Sequence, residues 1–376
     1  MPGNRAIILT NKTDPVSWTI EDRDIPEAVP GTIVIQVLYS ILVQYSKEHV
    51  TGKSYLNWPT PAVPGGNGIG RVYSIGADTT VFQPGDLVLV EPTITARDDR
   101  ASQLLLGFWE GLTPGSSKLM KEIWRDGLWQ QYCRLPVENV FKLDELRLTK
   151  ELGYRIEDLQ LIQSCAISYG GLGDSGVKAG DTIIVSPATG RFGGATVLTA
   201  LAMGANVVAA GRRQDALDEL VVAMGHGASL KTVRLSGNVE EDTAAFEHAV
   251  GPKGADVIMD WSPPQLTGTT PAYLTAGINV LKFKGTLCFM GGISGNISIP
   301  YFLVVSKNLI LRGRFMNEKE QIEQCIKLAE SGKLLLGQKC GQNTVINFSL
   351  ERFIEALDEA ALQPGWKAAV SLAPQM

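Results

Sequence analysis

Asp181-Thr182-Ile183-Ile184-Val185-Ser186-Pro187-Ala188-Thr189-Gly190-Arg191-Phe192-Gly193-Gly194 opens the stretch that decides the fold. Ala195 to Met203 and Asn206-Val207-Val208-Ala209-Ala210 complete it. Thr182 to Val185 is a β-branched run of the kind that fills a parallel sheet. A glycine-rich turn follows, then an almost wholly apolar helix over Ala195 to Met203, then a second strand. This strand–turn–helix–strand context is what a dinucleotide fingerprint requires. Small residues let the backbone approach a pyrophosphate, and a helix N-terminus offers free N–H groups and the positive end of its dipole. Ala188, Thr189, Gly190, Phe192 and Gly193 are therefore candidate cofactor-binding residues. The competing reading is a tight turn with no ligand.

The end of the second strand indicates which dinucleotide. A ribose with a free 2′-OH is usually held by an acid about 20 residues past the turn. Here the strand ends in Gly211-Arg212-Arg213-Gln214, with no acid before Asp215. Two guanidiniums after a glycine suit a 2′-phosphate, because arginine presents a planar fork of donors. The expected cofactor is NADPH rather than NADH; a solvated arginine pair is the alternative. Gly291-Gly292, at the end of a later strand, are placed at the carboxyl edge of the sheet, where such folds bind ligand.

With 376 residues, 44% of them hydrophobic, the chain is comfortable for two domains. A net charge of −5 argues against a general nucleic-acid surface. No apolar run is long enough to span a membrane. Met1 to Arg5 leads straight into a strand without an apolar h-region, so no signal peptide is expected. Cys133, Cys165, Cys288, Cys325 and Cys340 are odd in number and widely spaced, which fits reduced thiols in a cytoplasmic protein. His49, His226 and His248 lie at no ligand spacing with a cysteine, so no metal site is expected.

The first hundred residues read as β-rich: Ala6 to Leu9, Thr32 to Tyr39, Gly70 to Gly76 and Leu87 to Val90, punctuated by Gly/Pro turns. Such a pattern indicates a compact barrel-like module. Residues 92–128 are a long irregular insertion, with a short helix expected from Lys118 to Trp124. Residues 157–315 alternate strand and helix, giving a doubly wound parallel sheet. The tail from Glu318 reads as helix, strand, helix and strand, and is expected to fold back onto the N-terminal module.

Across nearly its whole length this layout resembles the medium-chain dehydrogenase/reductase superfamily. The matching segments are Val63 to Val72, Phe82 to Val88, Gly127 to Tyr132, Val177 to Val185, and Ala188, Gly190 and Gly193 in an A-x-G-x-x-G arrangement. The resemblance implies an α/β chain with a GroES-like β-barrel-type catalytic domain over 1–156 and 316–376. A Rossmann dinucleotide-binding domain would occupy 157–315. It also implies a homodimer, with Ser294 to Pro300 as the candidate pairing strand. In zinc-dependent members the catalytic cysteine would fall near Val43 and its following histidine near Gln44. A histidine and a glutamate would fall on Gly66 and Asn67, and a further ligand near Asp174. The insertion, where a structural zinc loop would lie, has no cysteine. Valine and glycine cannot ligate zinc, so the resemblance points to a zinc-independent branch.

Those branches reduce quinones, alkenals and enoyl thioesters. Gly65-Gly66-Asn67-Gly68 is similar to the G-G-N-E segment of the enoyl-thioester branch, which places Tyr55 as proton donor. Val43-Gln44-Tyr45-Ser46-Lys47 loosely resembles an alkenal-reductase segment, which would favour Tyr45. Reducing a conjugated C=C makes an enolate, which needs a hydrogen-bond donor at oxygen and a proton at carbon. Trp58, Asn67, Phe108, Trp109 and Trp129 are candidates for lining the pocket of a small-molecule acceptor. The leading expectation is a metal-free, NADPH-dependent reductase of an activated C=C bond. A zinc-free carbonyl, imine or quinone reductase and a non-catalytic NADPH-binding protein remain as alternatives.

Overall fold

The computed structural model describes residues 3–376 apart from positions 226, 265, 267 and 364, so His226 lies outside the described residues. The chain forms two compact units. One comprises Met1–Gln163, Thr344–Pro364 and Ala368–Met376; the other comprises Ser164–Asn343 and Gly365–Lys367.

In the first unit β1 (Asn4–Asn11) and β2 (Ser17–Arg23) pair antiparallel. β3 (Thr32–Leu42), helix α1 (Ser46–Val50), β4 (Gly68–Ile75) and β5 (Leu87–Val90) follow. The insertion supplies a hairpin, β6 (Thr93–Thr95) and β7 (Gln103–Leu105), and helix α2 (Pro114–Glu122). β8 (Tyr132–Pro136) and β9 (Val140–Lys142) close this part.

At the boundary lies α3 (Leu161–Asp174). The second unit then runs β10 (Thr182–Ser186), α4 (Arg191–Ala202), β11 (Asn206–Gly211), α5 (Gln214–Met224), β12 (Leu230–Arg234) and α6 (Val239–Val250). It continues through β13 (Ala255–Asp260), α7 (Ala272–Val280), β14 (Leu281–Phe289), α8 (Tyr301–Ser306), β15 (Ile310–Gly313) and α9 (Lys319–Glu330). β16 (Thr344–Phe348), α10 (Phe353–Leu362) and β17 (Ala368–Leu372) return to the first unit.

That return is hydrogen-bonded into the first unit's main sheet, β17 pairing antiparallel with β3. The sheet's order is β16-β17-β3-β4-β5-β9, with β8 also paired to β3. β3 is nearly continuous in apolar residues because it packs on both faces; Ile33, Ile35 and Val37 are fully buried. The core they join includes Ile7, Leu9, Trp58, Val63, Leu104, Leu106, Trp129 and, from the tail, Phe353 and Leu357.

The second unit's sheet is wholly parallel, in the order β12-β11-β10-β13-β14-β15. Chain order reverses between β10 and β13, which is where doubly wound sheets open a crevice at their carboxyl ends. α6 and α7 cover one face through Phe246, Leu274 and Ile278.

Several expectations need correction. Residues 316–343 belong to the nucleotide-binding unit rather than to the catalytic one. Gln321 Nε2 on α9 donates to Asp174 Oδ1 at 2.7 Å and to the Gly170 carbonyl on α3 at 3.3 Å, and Cys325 and Ile326 are buried. Residues 157–163 go to the first unit instead. α4 starts at Arg191, not at Ala195, so Phe192 and Gly193 lie in its first turn. α2 starts at Pro114, because Thr113 caps it by accepting from the Ser116 N–H at 3.1 Å. Ser294 to Pro300 is not a strand; the open edge is β15, with all four residues exposed.

Candidate active site

The glycine turn of the second unit is shaped for close approach. Gly190 is the N-cap of α4, makes no side-chain cap, and has nothing within 4 Å of where a Cβ would stand. The first N–H groups of a twelve-residue helix are thus left to a ligand or water. Gly193 does a different job: a Cβ there would overlap the Pro187 carbonyl, so glycine lets helix and strand pack. Ala188 is fully buried and its N–H donates to the Ala210 carbonyl at 2.8 Å, tying the turn to β11. Thr189 reaches Gly211, at the end of that strand. Arg212 and Arg213 then stand exposed, and Arg213 lies 3.9 Å from Asp215. The residues present fit a nicotinamide dinucleotide at this turn.

Two features of this sheet edge escaped the sequence reading. Asp260, at the end of β13, is buried and accepts from the Ser262 N–H at 3.0 Å, the Ser262 hydroxyl at 2.5 Å and the Tyr273 hydroxyl at 3.1 Å. Burial raises its carboxyl above the usual range, while those three bonds act the other way. The network holds the loop beside Gly291 and Gly292: Gly292 N–H donates to the Ser262 carbonyl at 2.8 Å, and a Cβ on Gly291 would stand 2.7 Å from the Ser262 backbone. Gly291 and Gly292 follow the strand rather than end it, since β14 stops at Phe289. The second feature is Trp366, brought back by the tail; it packs on Gly194, and Gly365 forms a β-bridge with Gly190. Phe192 stacks on Trp261 at 5.4 Å. An acid closing an apolar strand at the carboxyl edge was the available signal for Asp260; nothing local in the sequence marks Trp366.

In the first unit the segment Pro64 to Gly70 is crowded. Gly65 adopts φ +96°, and a Cβ there would overlap the Trp129 ring. At Gly66 a Cβ would stand 2.6 Å from the Leu106 carbonyl and 2.9–3.0 Å from Pro92 and Phe108. The insertion therefore fills the place where the family resemblance puts a zinc-ligating histidine. Val43 is buried and its side chain has no ligating atom, and Asn67 accepts at its backbone carbonyl from the Ile41 N–H and the Ser40 hydroxyl. Among the described residues no cluster of three or more His, Cys, Asp or Glu has the geometry to hold a metal. These positions do not fit a zinc ion.

The tyrosines lie close in sequence but in different settings. Tyr55 is 73% exposed. Tyr45 is half-buried at the N-cap of α1. The insertion is fastened to the Tyr55 segment: Asn57 Nδ2 donates to Glu110 Oε1 at 2.6 Å, and Lys12 Nζ donates to Asn57 Oδ1 at 2.9 Å and the Trp58 carbonyl at 2.8 Å. Trp58 and Trp129, expected to line a pocket, sit inside the core at 1% and 0% exposure. Phe108 and Trp109 are half-buried, and so is Asn67. Between Trp58 and Phe108 lies His49, which sequence reading left aside. It stacks on Trp58 at 5.2 Å and tilts against Phe108 at 4.8 Å. Burial, with the Lys12 charge, pushes its imidazole down to about 3, against the Gly107 backbone beside it.

Comparison with known proteins fits this architecture. Residues 29–145 match the alcohol dehydrogenase GroES-like domain and residues 192–331 match the zinc-binding dehydrogenase domain. An alcohol dehydrogenase of Rhizobium meliloti (strain 1021) is 27% identical over 341 residues, 89% of this chain and 92% of its own. The D-xylulose reductase of Saccharomyces cerevisiae is 26% identical over 365 residues, 93% of each chain. A Sinorhizobium meliloti 1021 protein described as a zinc-binding dehydrogenase and solved with NADP bound shares the fold, with a TM-score of 0.75 at 18% identity over the whole of both chains. With a GroES-like module, a six-stranded parallel sheet in dinucleotide-binding order and both domain matches in sequence, the chain belongs to the medium-chain dehydrogenase/reductase superfamily of oxidoreductases.

Proposed function

We propose that this protein is an NADPH-dependent, metal-independent reductase that delivers hydride to the activated C=C bond of a small conjugated acceptor. The observation that carries the reading is the closure of Gly66 by the Leu106 carbonyl and Phe108, in a segment that offers no metal donor. Without a Lewis acid, negative charge developing on the acceptor must be spread by the acceptor itself or met by hydrogen bonds. A conjugated carbonyl spreads it as an enolate; a simple ketone concentrates it on one oxygen.

NADPH, when bound, supplies the hydride. The chain's own residues do the rest. The α4 N-terminus and Gly190 receive the pyrophosphate, and Arg212 and Arg213 the 2′-phosphate. The Asp260–Ser262–Tyr273 network keeps the backbone at Gly291 and Gly292 in place. Tyr55 is the first candidate to donate a proton to the reduced acceptor and Tyr45 the second. The names of the relatives, alcohol dehydrogenase and D-xylulose reductase, favour a second reading, metal-free carbonyl reduction at the same residues.

NADPH oxidation against enals, enones, enoyl thioesters, quinones, imines and ketones separates these readings. Turnover on one conjugated class is expected; turnover on ketones alone would install the second reading, and binding without turnover the non-catalytic one. Tyr55→Phe is expected to lower kcat by about a hundredfold with NADPH affinity nearly unchanged. An equal fall in both would remove Tyr55 from the chemistry.

We also infer a homodimer built across β15. Among the described residues that strand leaves one edge unpaired, and exposed Tyr301, Phe302, Val305 and Phe315 lie on either side of it in sequence. Light scattering should give twice the chain mass, and Leu311→Lys should halve it; a monomeric parent would refute the assembly.

A further inference from the structure

The end of β12 carries an arginine that the sequence reading passed over, because Leu230 to Arg234 was not recognised as a strand. In the parallel ladder Arg234 is the register partner of Gly211. Registered residues on neighbouring parallel strands project to the same face, about 4.8 Å apart. The face in question is known from Gly211: a Cβ there would meet Leu217 of α5 at 3.4 Å and Thr189 of the glycine turn at 3.7 Å. Val233, on the opposite parity, faces the other way into the core with Phe246. Arg234 therefore stands on the side of the turn and of α5, directly beside the glycine that precedes Arg212 and Arg213.

The charges at this edge are unbalanced. Arg212, Arg213 and Arg234 are all exposed. Arg213 has Asp215 at 3.9 Å, with the two side chains 73% and 71% exposed. Among the described residues Arg212 and Arg234 make no ion pair and no side-chain hydrogen bond. Two acids of the neighbouring segments have other partners: Asp218 Oδ1 accepts from Gln214 at 2.8 Å, and Asp242 Oδ1 from the Ser236 N–H and hydroxyl at 2.7 and 3.0 Å. In a chain of net charge −5, three exposed guanidiniums stand at the ends of two adjacent strands, with one weakly held acid 3.9 Å from Arg213.

We propose that Arg234 is a third ligand of the adenosine 2′-phosphate and a determinant of cofactor choice. The inference rests on the NADPH reading above and extends it to a residue of the next strand. A phosphate monoester has three terminal oxygens, enough acceptors to engage three guanidiniums at once. A free 2′-OH offers none of that charge, so the third arginine favours NADPH without aiding NADH.

The test uses two probes that differ only in this group, 2′,5′-ADP and 5′-AMP. Each is titrated calorimetrically into the full-length protein and into Arg234→Ala and the double variant Arg212→Ala/Arg213→Ala. Arg234→Ala should weaken 2′,5′-ADP by about five- to tenfold, leave 5′-AMP within about twofold, and lose most of its effect at high salt. Unchanged circular dichroism shows that the variant folds, as expected for an exposed side chain. The inference is overturned if Arg234→Ala leaves 2′,5′-ADP binding unchanged or weakens both probes alike while the double variant loses discrimination. If the parent protein binds both probes equally, the 2′-phosphate reading itself fails, and Arg234 with it.

Discussion

Around Gly190 the backbone is bare, with nothing within 4 Å of a would-be Cβ, and its φ of −76° is one any residue adopts. Around Gly65 and Gly66 every approach is taken, by the Trp129 ring, the Leu106 carbonyl and Phe108, and φ at Gly65 is +96°. Glycine in the first place keeps room for a ligand; in the second it lets the protein close on itself. The nucleotide-binding unit has thus kept its general device. In the other unit the insertion, through Pro92, Leu106 and Phe108, fills the space beside Gly66, where the family resemblance places a zinc-ligating histidine.

The sharpest way to break that contrast is to add one methyl group at each place. Gly65→Ala combines a left-handed backbone with overlap on a fully buried tryptophan and should cost about 3 kcal/mol of stability in urea melts. Gly190→Ala should change stability by less than about 0.5 kcal/mol, yet weaken NADPH several-fold in a fluorescence titration. Equal destabilisation at both positions would erase the distinction.

His49 tests the closure of the first unit from inside. Its folded pKa, about 3, lies below the unfolded value of 6.5. Above the unfolded value both states are neutral and stability is complete. As pH falls below it, the unfolded chain takes the proton first, and stability drops by about 1.4 kcal/mol per pH unit until the folded pKa is reached. His49→Phe, stacked between the same Trp58 and Phe108, should remove that slope. A thermal midpoint that falls equally in both proteins between pH 6.5 and 4 would show that His49 is not buried as described.

Much of the second unit was legible because one chemistry writes both its strands and its ligand turn. Ile183 to Val185, Gly190 and the apolar run of α4 all announce themselves locally, as does the order of the modules. What was missed is tertiary. Leu230-Lys231-Thr232-Val233-Arg234 has only two apolar residues, three apart, so no period of two shows, and its lysine and arginine hide an edge strand whose charged residues guard it. Trp58 and Trp129 looked like pocket walls because an aromatic side chain reads alike in core and cleft. Here they are core, and the reason is the insertion, whose Leu104 and Leu106 pack with them. Ser294 to Pro300 has a strand's composition but forms no strand, Ser298 N–H donating to the Thr270 hydroxyl at 2.6 Å, and β15 takes the sheet edge instead. Residues 316–343 follow the second unit because Gln321 finds its partners on α3, a contact no local pattern encodes.

On the proposed reading, hydride transfer in this protein proceeds without a metal. The most direct measurement is NADPH consumption with a conjugated enoyl acceptor after exhaustive dialysis against a strong chelator, with and without added zinc. Full activity in the chelated protein, unchanged by zinc, is the predicted result. Activity that vanishes on chelation and returns only with zinc would contradict it, and would mean that Gly66 and Val43 are not where this chain's chemistry is decided.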